Sequence, residues 1–199
     1  MSFDLRLIVP PNEIYGGLTY GNWAAIWWNW LFSNQEQAGP VYFLRGNTDL
    51  ERIIVRTGRR ALTIYADTAI FFPIICTING MLTYHGTYNA LASRKRSAES
   101  QRNPSMLKVT IDKIKVPNLK KYYAESPEFI LYVPKETAIR KYFKPTIRSG
   151  KAPAVAAGYW ILIKPLPIGK HVIYFKGEHE DGFTASGKYD IIVTSRPSN

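Results

Sequence analysis

The sequence predicts an all-β fold, a β-sandwich of jelly-roll-like character carrying one N-terminal, tryptophan-rich amphipathic helix. A single domain is expected over residues 1–199. Three observations predict it. One stretch only has apolar residues at helical spacing. After it come short β-rich runs separated by turn residues, the pattern of a sandwich or jelly roll. Finally, a chain of 199 residues buries about 70% of its unfolded surface, enough for a core without covalent staples.

The elements follow in order. Residues 3–9 alternate Phe3, Leu5, Leu7 and Val9 and end at Pro10-Pro11, which reads as a short edge strand or an extended arm over residues 1–17. Thr19 is an N-cap candidate, and Trp23, Ile26, Trp27, Trp30 and Leu31 fall on one helical stripe. Gly39-Pro40 closes the loop behind that helix. Strands are expected over 41–45, 52–56, 61–65, 69–77, 106–116, 129–133, 155–164, 171–176 and 183–194. Asn79-Gly80, Ser149-Gly150, Ile168-Gly169 and Asp181-Gly182 supply the turn signals. In 106–116 the polar and apolar residues alternate irregularly, so no register is assigned there.

Composition excludes several classes. Hydrophobic residues at 46% and charged residues at 21% are ordinary globular usage, which rules out wholesale disorder. A lone cysteine, Cys76, rules out a disulfide within the chain and a cysteine-cluster metal site. The longest apolar runs, 23–28 and 69–76, fall far short of the ~20 residues of a spanning helix. The opening residues lack the apolar stretch of a secretory leader, so synthesis and retention in a reducing, cytoplasmic compartment are expected.

The formal net charge is +11, and residues 94–151 hold 15 Lys or Arg against 5 Asp or Glu. Nearly all the imbalance therefore lies in the middle third. Arg94, Lys95, Arg96 and Arg102 fall in a Ser/Asn/Gln-rich stretch that reads as a mobile basic loop over residues 93–105. Lys108, Lys113, Lys115, Lys120, Lys121, Lys141 and Arg148 follow, interleaved with tyrosines. Such a surface favours an acidic partner through summed potential, while the same residues also make an ordinary solvated face. No nucleic-acid module signature is present.

Tyr20-Gly-Asn-Trp-Ala-Ala-Ile-Trp-Trp-Asn-Trp30 and Gly39-Pro-Val-Tyr-Phe-Leu-Arg-Gly46 resemble the opening blocks of an uncharacterised bacterial and environmental family, "YGxWxxxWWxW" and "GPVxFLxG". Ala69-Ile-Phe-Phe-Pro-Ile74 is similar to its "ALFFPV" strand, and residues 158–177 are similar to its "GYWxxLxPLxPGxHxIxFxG" hairpin. The blocks keep their order over residues 20–194. The resemblance implies a shared fold and no activity. Many members of that family look secreted, with a leader and extra cysteines, and this sequence departs from them in both respects.

Chemistry-bearing residues are sparse. His171 sits in an alternating strand, and His179 lies in Glu178-His179-Glu180-Asp181 at a hairpin turn. That turn has oxygen and imidazole groups but lacks calcium-loop spacing. No nucleophile elbow, Walker sequence or Gly-x-Gly-x-x-Gly occurs, so no catalytic set, cofactor or metal is assigned. Trp28 lies off the helical stripe, about 100° from Trp27, and is the expected exposed anchor. These readings lead to the expectation of a non-enzymatic structural or assembly protein, most concretely a minor capsid component of a large virus particle. Its N-terminal arm and basic middle segment would contact neighbouring subunits through Trp28, Arg94, Lys95, Arg96, Arg102, Lys120, Lys121, Lys141 and Arg148. The alternative is a stand-alone ligand- or carbohydrate-binding module using Trp28 or Trp160 as a platform.

Overall fold

Phe71 and Phe72 are neighbours on one strand, so their side chains point to opposite faces, and both are fully buried. That strand must be covered on two sides. In the computed structural model, which describes residues 3–33, 39–48, 60–80, 88–136 and 148–197, it lies at the centre of three layers. Phe71 stacks on Trp160 at 5.2 Å beneath the first helix, whereas Phe72 stacks on Phe175 of a second sheet at 4.7 Å.

The strands are β1 (Val41–Phe43), β2 (Asn47–Thr48), β3 (Arg60–Tyr65), β4 (Ala69–Gly80), β5 (Met106–Ile111), β6 (Ile114–Lys115), β7 (Tyr123–Glu125), β8 (Phe129–Val133), β9 (Gly150–Ile163), β10 (Gly169–Glu178) and β11 (Thr184–Thr194). Helices α1 (Tyr20–Ser33) and α2 (Ala90–Gln101) complete the set, with short 3-10 turns at Leu5–Leu7 and Leu119–Tyr122. The first sheet has the order β1-β4-β9-β7, with β8 also on β9; the second has the order β2-β11-β10-β5-β6, with β3 also on β11. The expected strand over 52–56 lies outside the described residues.

Both sheets are mixed. β1 runs parallel to β4, and β3 runs parallel to β11. Two stacked sheets agree with the sandwich expectation, but the parallel pairs set the fold apart from an all-antiparallel jelly roll. Pro73 cannot donate to the ladder, and the β4–β9 register shifts between Pro73 and Ile75, so Ile74 is accommodated as a bulge. Where β10 crosses β4, a Cβ on Gly177 would come within 2.6 Å of the Ile75 Cβ. The absent side chain is what lets the sheets close there.

Helix α1 starts as expected, with the Thr19 hydroxyl accepting from Asn22 N–H at 3.2 Å. Its buried arc is wider than the single stripe. Tyr20, Trp23, Ala24 and Trp27 face β4 and β9, Trp28 and Phe32 turn toward β8, and Ala25 is buried as well. The covered arc spans about 200° at 100° per residue. Ile26, expected on the stripe, is instead exposed.

Three further expectations are corrected. Residues 90–101 form helix α2 rather than a loop. Asn89 accepts from Ala92 N–H at 2.8 Å as the N-cap, and the buried face is Ser93, Ser97 and Gln101. Small serines let the helix lie close on β4 and β9, where Asn79 donates to the Ser97 hydroxyl at 2.8 Å. A serine-rich face reads as a loop in sequence because it carries no apolar period.

Likewise, the described part of the N-terminal segment is not a free arm. Phe3, Ile8 and Val9 are buried, Ile8 bridges Ile163, and Val9 N–H donates to Leu162 C=O at 2.9 Å. The Tyr20 hydroxyl completes the tie, donating to Val9 C=O at 2.6 Å and accepting from Leu162 N–H at 3.1 Å. Burial pushes that phenol's pKa far up, so it stays a neutral donor.

The stretch 106–116 is not one strand but the tight hairpin β5–β6. Asp112 and Lys113 both adopt positive φ, 50° and 69°, the geometry of a two-residue hairpin turn that favours glycine second. Because left-handed backbone costs an ordinary residue about 1–2 kcal/mol, Lys113→Gly is expected to stabilise by about 0.5–1 kcal/mol net of chain entropy. Equilibrium urea unfolding measures it. A loss of stability would instead fit a continuous strand.

Candidate partner-binding surface

The β5–β6 turn is fixed from β10. Asp112 Oδ1 accepts from Val172 N–H at 2.8 Å, and Asp112 Oδ2 lies 2.7 Å from His171 Nδ1. The other ring nitrogen, Nε2, is 2.9 Å from the Pro167 carbonyl. His171 therefore clamps a turn between two oxygens, and neither ring nitrogen is left over for a substrate.

The second histidine also faces inward. His179 is buried, with Nε2 donating to Gln101 Oε1 at 3.3 Å, which joins α2 to the end of β10. Around it the carboxylates diverge. Glu178 pairs with Lys176 at 3.0 Å, and Asp181 accepts from Phe183 N–H at 2.9 Å. Among the described residues no group of three or more metal-ligating side chains converges. Burial lowers the His179 pKa, against a smaller upward pull from Asp181. The unfolded chain then binds a proton at higher pH than the folded one, so this residue's stabilising contribution is present above about pH 6.5 and is lost as pH falls below it. Tm is expected to drop between about pH 7.5 and about pH 5.5, and His179→Gln is expected to flatten that slope. An unchanged slope in the variant would contradict the assignment.

The candidate contact residues fall on several elements. On α2, Arg94 Nη1 donates to Ser126 C=O at 3.0 Å and lies 3.6 Å from Glu125, tying the helix to β7. Arg96 is half-buried, with Nη2 donating to Ser93 Oγ at 3.4 Å. Lys95 is exposed, 4.0 Å from Glu99 one turn on, and Arg102 is exposed just past the helix. Glu125 also accepts from the Tyr123 hydroxyl at 2.8 Å, and Glu128 accepts from Tyr88 at 2.9 Å. Burial first, then that bond, pushes the Tyr88 phenol up to about 12. These groups hold α2 to the sheet edge. Arg148 is exposed just before β9, and Lys141 lies outside the described residues.

Trp28 is not an open anchor. Its ring meets Trp27 edge-on at 5.1 Å and stacks on Phe32 at 5.9 Å, and it sits against Leu131, Val133, Ala152 and Ala154. It is covered because α1 also caps the β8 edge. Asn29 donates to Ile130 C=O at 3.0 Å and accepts from Tyr132 N–H at 2.8 Å, occupying strand-edge groups that would otherwise stay open. Trp160 is completely enclosed. Of the two tryptophans of a sugar platform, Trp160 is thus packed inside and Trp28 is half-buried, with Phe32 stacked on its ring. Cys76 is half-buried in β4, and burial raises its thiol pKa well above the ordinary range, which leaves it a poor nucleophile.

Lys120 and Lys121 are exposed on the 3-10 turn Leu119–Tyr122. Lys121 lies over the Tyr122 ring at 5.0 Å, whereas Lys120 borders a groove of about 530 Å3. Ser105 and Leu107 form one wall; Lys115, Asn118 and Lys120 form the other. The groove exists because the hairpin splits. Val116 N–H donates to Val109 C=O at 3.0 Å, but Pro117 has no N–H and Asn118 turns left-handed at φ 54°, leading the chain away. By the alternation of an antiparallel ladder, Leu107 presents its N–H and C=O to the same side as Val109, and there they meet no partner among the described residues. Beside the groove Lys108 is exposed, its Nζ over the Tyr174 ring at 5.6 Å. Lys108, Lys113 and Lys115 belonged to the basic run in sequence, but their grouping at a strand edge depends on the Asp112-Lys113 turn, which lacks the usual glycine.

No protein-family model matches the chain, and no curated protein or solved structure matches it either. The resemblance of the tryptophan-rich and hairpin blocks thus rests on those motifs alone, with no matching protein beside it. No described helix is long and apolar enough to cross a membrane.

Proposed function

We propose that this protein is a non-enzymatic structural or assembly component, held in a larger particle through the basic surface of its middle third. The most concrete case is a minor capsid component of a large virus particle, with the virion as its place of residence. The observation that carries the reading is the lysine-bordered groove at the β5 edge, which offers another chain charge and main-chain groups that are unpaired among the described residues. The internal commitment of His171, His179, Glu125, Glu128 and Cys76 supports it further, since none of these groups projects into that groove. The N-terminal segment, packed on its own domain, drops out of the contact set. Lys115 and Lys120 replace Arg94 and Arg96 as its centre, because the two arginines already serve α2.

Association through exposed lysines is screened by salt over about 10 Å at 0.1 M. Partner complexes of the native protein, sedimented at increasing ionic strength, are expected to release it as a 22.7 kDa species. A protein that remains unassociated even at low salt would contradict the proposal.

A further inference from the structure

We propose that the groove receives an extended acidic strand of a partner protein, which pairs with the Leu107 main chain and sets its carboxylates against Lys115 and Lys120. This rests on the assembly reading and names its contact. Three features of the site point to this occupant.

The first is the unpaired edge. β5 is bonded on one side to β10 along its whole length, but on the other side only Thr110 and Ile111 pair with β6, and Val109 bonds Val116. Among the described residues, Leu107 continues the same ladder with nothing opposite it. A strand edge left open in this way is a template for an added strand, with main-chain bonds giving affinity and flanking side chains giving selectivity.

The second is room. The hairpin diverges at Pro117 and Asn118 into the groove of about 530 Å3, so an incoming backbone need not displace either wall. The third is charge. Lys115 and Lys120 border the space, Lys108 and Lys121, next in the chain to the lining residues Leu107 and Lys120, are exposed, and among the described residues no carboxylate lines it. Alternate residues of an added strand point to the same face, so every second side chain of the guest would meet that lysine border. A peptide with acidic residues at alternate positions fits; a basic or wholly apolar one leaves the lysines facing like charge or hydrocarbon.

A single-stranded nucleic acid shares the negative charge but has no peptide N–H and C=O to complete the Leu107 ladder. The aromatic rings near the lysines are also engaged: Tyr174 carries Lys108 over its face, and Tyr122 is buried under Lys121. Among the described residues, base stacking has no open platform there.

The test uses the full chain and a fluorescein-labelled peptide of alternating glutamate and valine, followed by anisotropy. Three comparison peptides carry lysine in place of glutamate, or N-methyl groups on one or the other alternate set of amides. Binding of the glutamate peptide is expected, with the lysine peptide and one N-methylated form at least about tenfold weaker and the other N-methylated form spared. The double variant Lys115→Glu/Lys120→Glu is expected to weaken binding at least about tenfold, and Lys95→Glu on α2 to leave it unchanged. All three lysines are exposed, so unchanged Tm values verify folding.

Affinity insensitive to both N-methylated forms, or to the double variant, overturns the proposal. So does an oligothymidine that binds at the same lysines more tightly than the peptide. If the double variant still enters the native particle, the groove assignment fails and the assembly reading survives. If the native protein is a free monomer, the assembly reading fails whatever the peptide does.

Discussion

Replacing Trp27 with alanine is expected to cost about 3–5 kcal/mol, the range for deleting a large buried aromatic. Trp27 is buried, meets Trp160 edge-on at 5.5 Å and contacts Trp30 at 6.1 Å. It also donates through Nε1 to the Leu44 carbonyl at 2.8 Å. Truncation would leave a cavity between α1 and the first sheet and a buried carbonyl short of its donor. Chemical denaturation measures the loss. A value below about 1 kcal/mol would mean that α1 is not core.

The second large effect is at Gly21. A Cβ there would overlap the carbonyl oxygen of Glu125 and lie 3.2 Å from the Ser126 Cα. Both are backbone atoms of the edge segment that Arg94 and Ala156 hold in place, so they cannot swing aside like a side-chain tip. Two effects then compete. Alanine is favoured over glycine within a helix by about 1 kcal/mol, whereas forcing atoms into a packed contact costs about 1–3 kcal/mol, occasionally more. The contact is expected to win, with a net loss of about 2 kcal/mol for Gly21→Ala. A raised Tm would show that α1 does not approach β7 so closely.

These residues also show which parts of the fold were legible. Trp23 and Trp27 lie on the predicted stripe because helical periodicity reports the face toward the nearest sheet. Trp28 and Ile26 exchange roles because β8 wraps a second side of α1, a tertiary fact with no local signal. The buried runs of β4 and β9 are readable as continuous apolar strands, since they are covered on both faces. Asn79-Gly80, by contrast, has turn chemistry but sits inside the end of β4, paired with Val155 and Ala154.

Helix α2 was illegible for the opposite reason. Its buried face is serine and glutamine, so the close approach to β9 that stabilises it leaves no hydrophobic period. The candidate site was legible only as charge. The basic run is plain in the sequence, but its centre depends on a hairpin turn without glycine, held open by Asp112 and His171 from a strand some sixty positions away. Several of the expected contacts, Arg94 above all, serve the domain itself.

The measurement that tests the central claim most directly is the native mass of the protein recovered from its source without overexpression, by size fractionation and mass spectrometry. The account predicts a megadalton particle containing the chain at fixed stoichiometry. Recovery as a free 22.7 kDa species would contradict it.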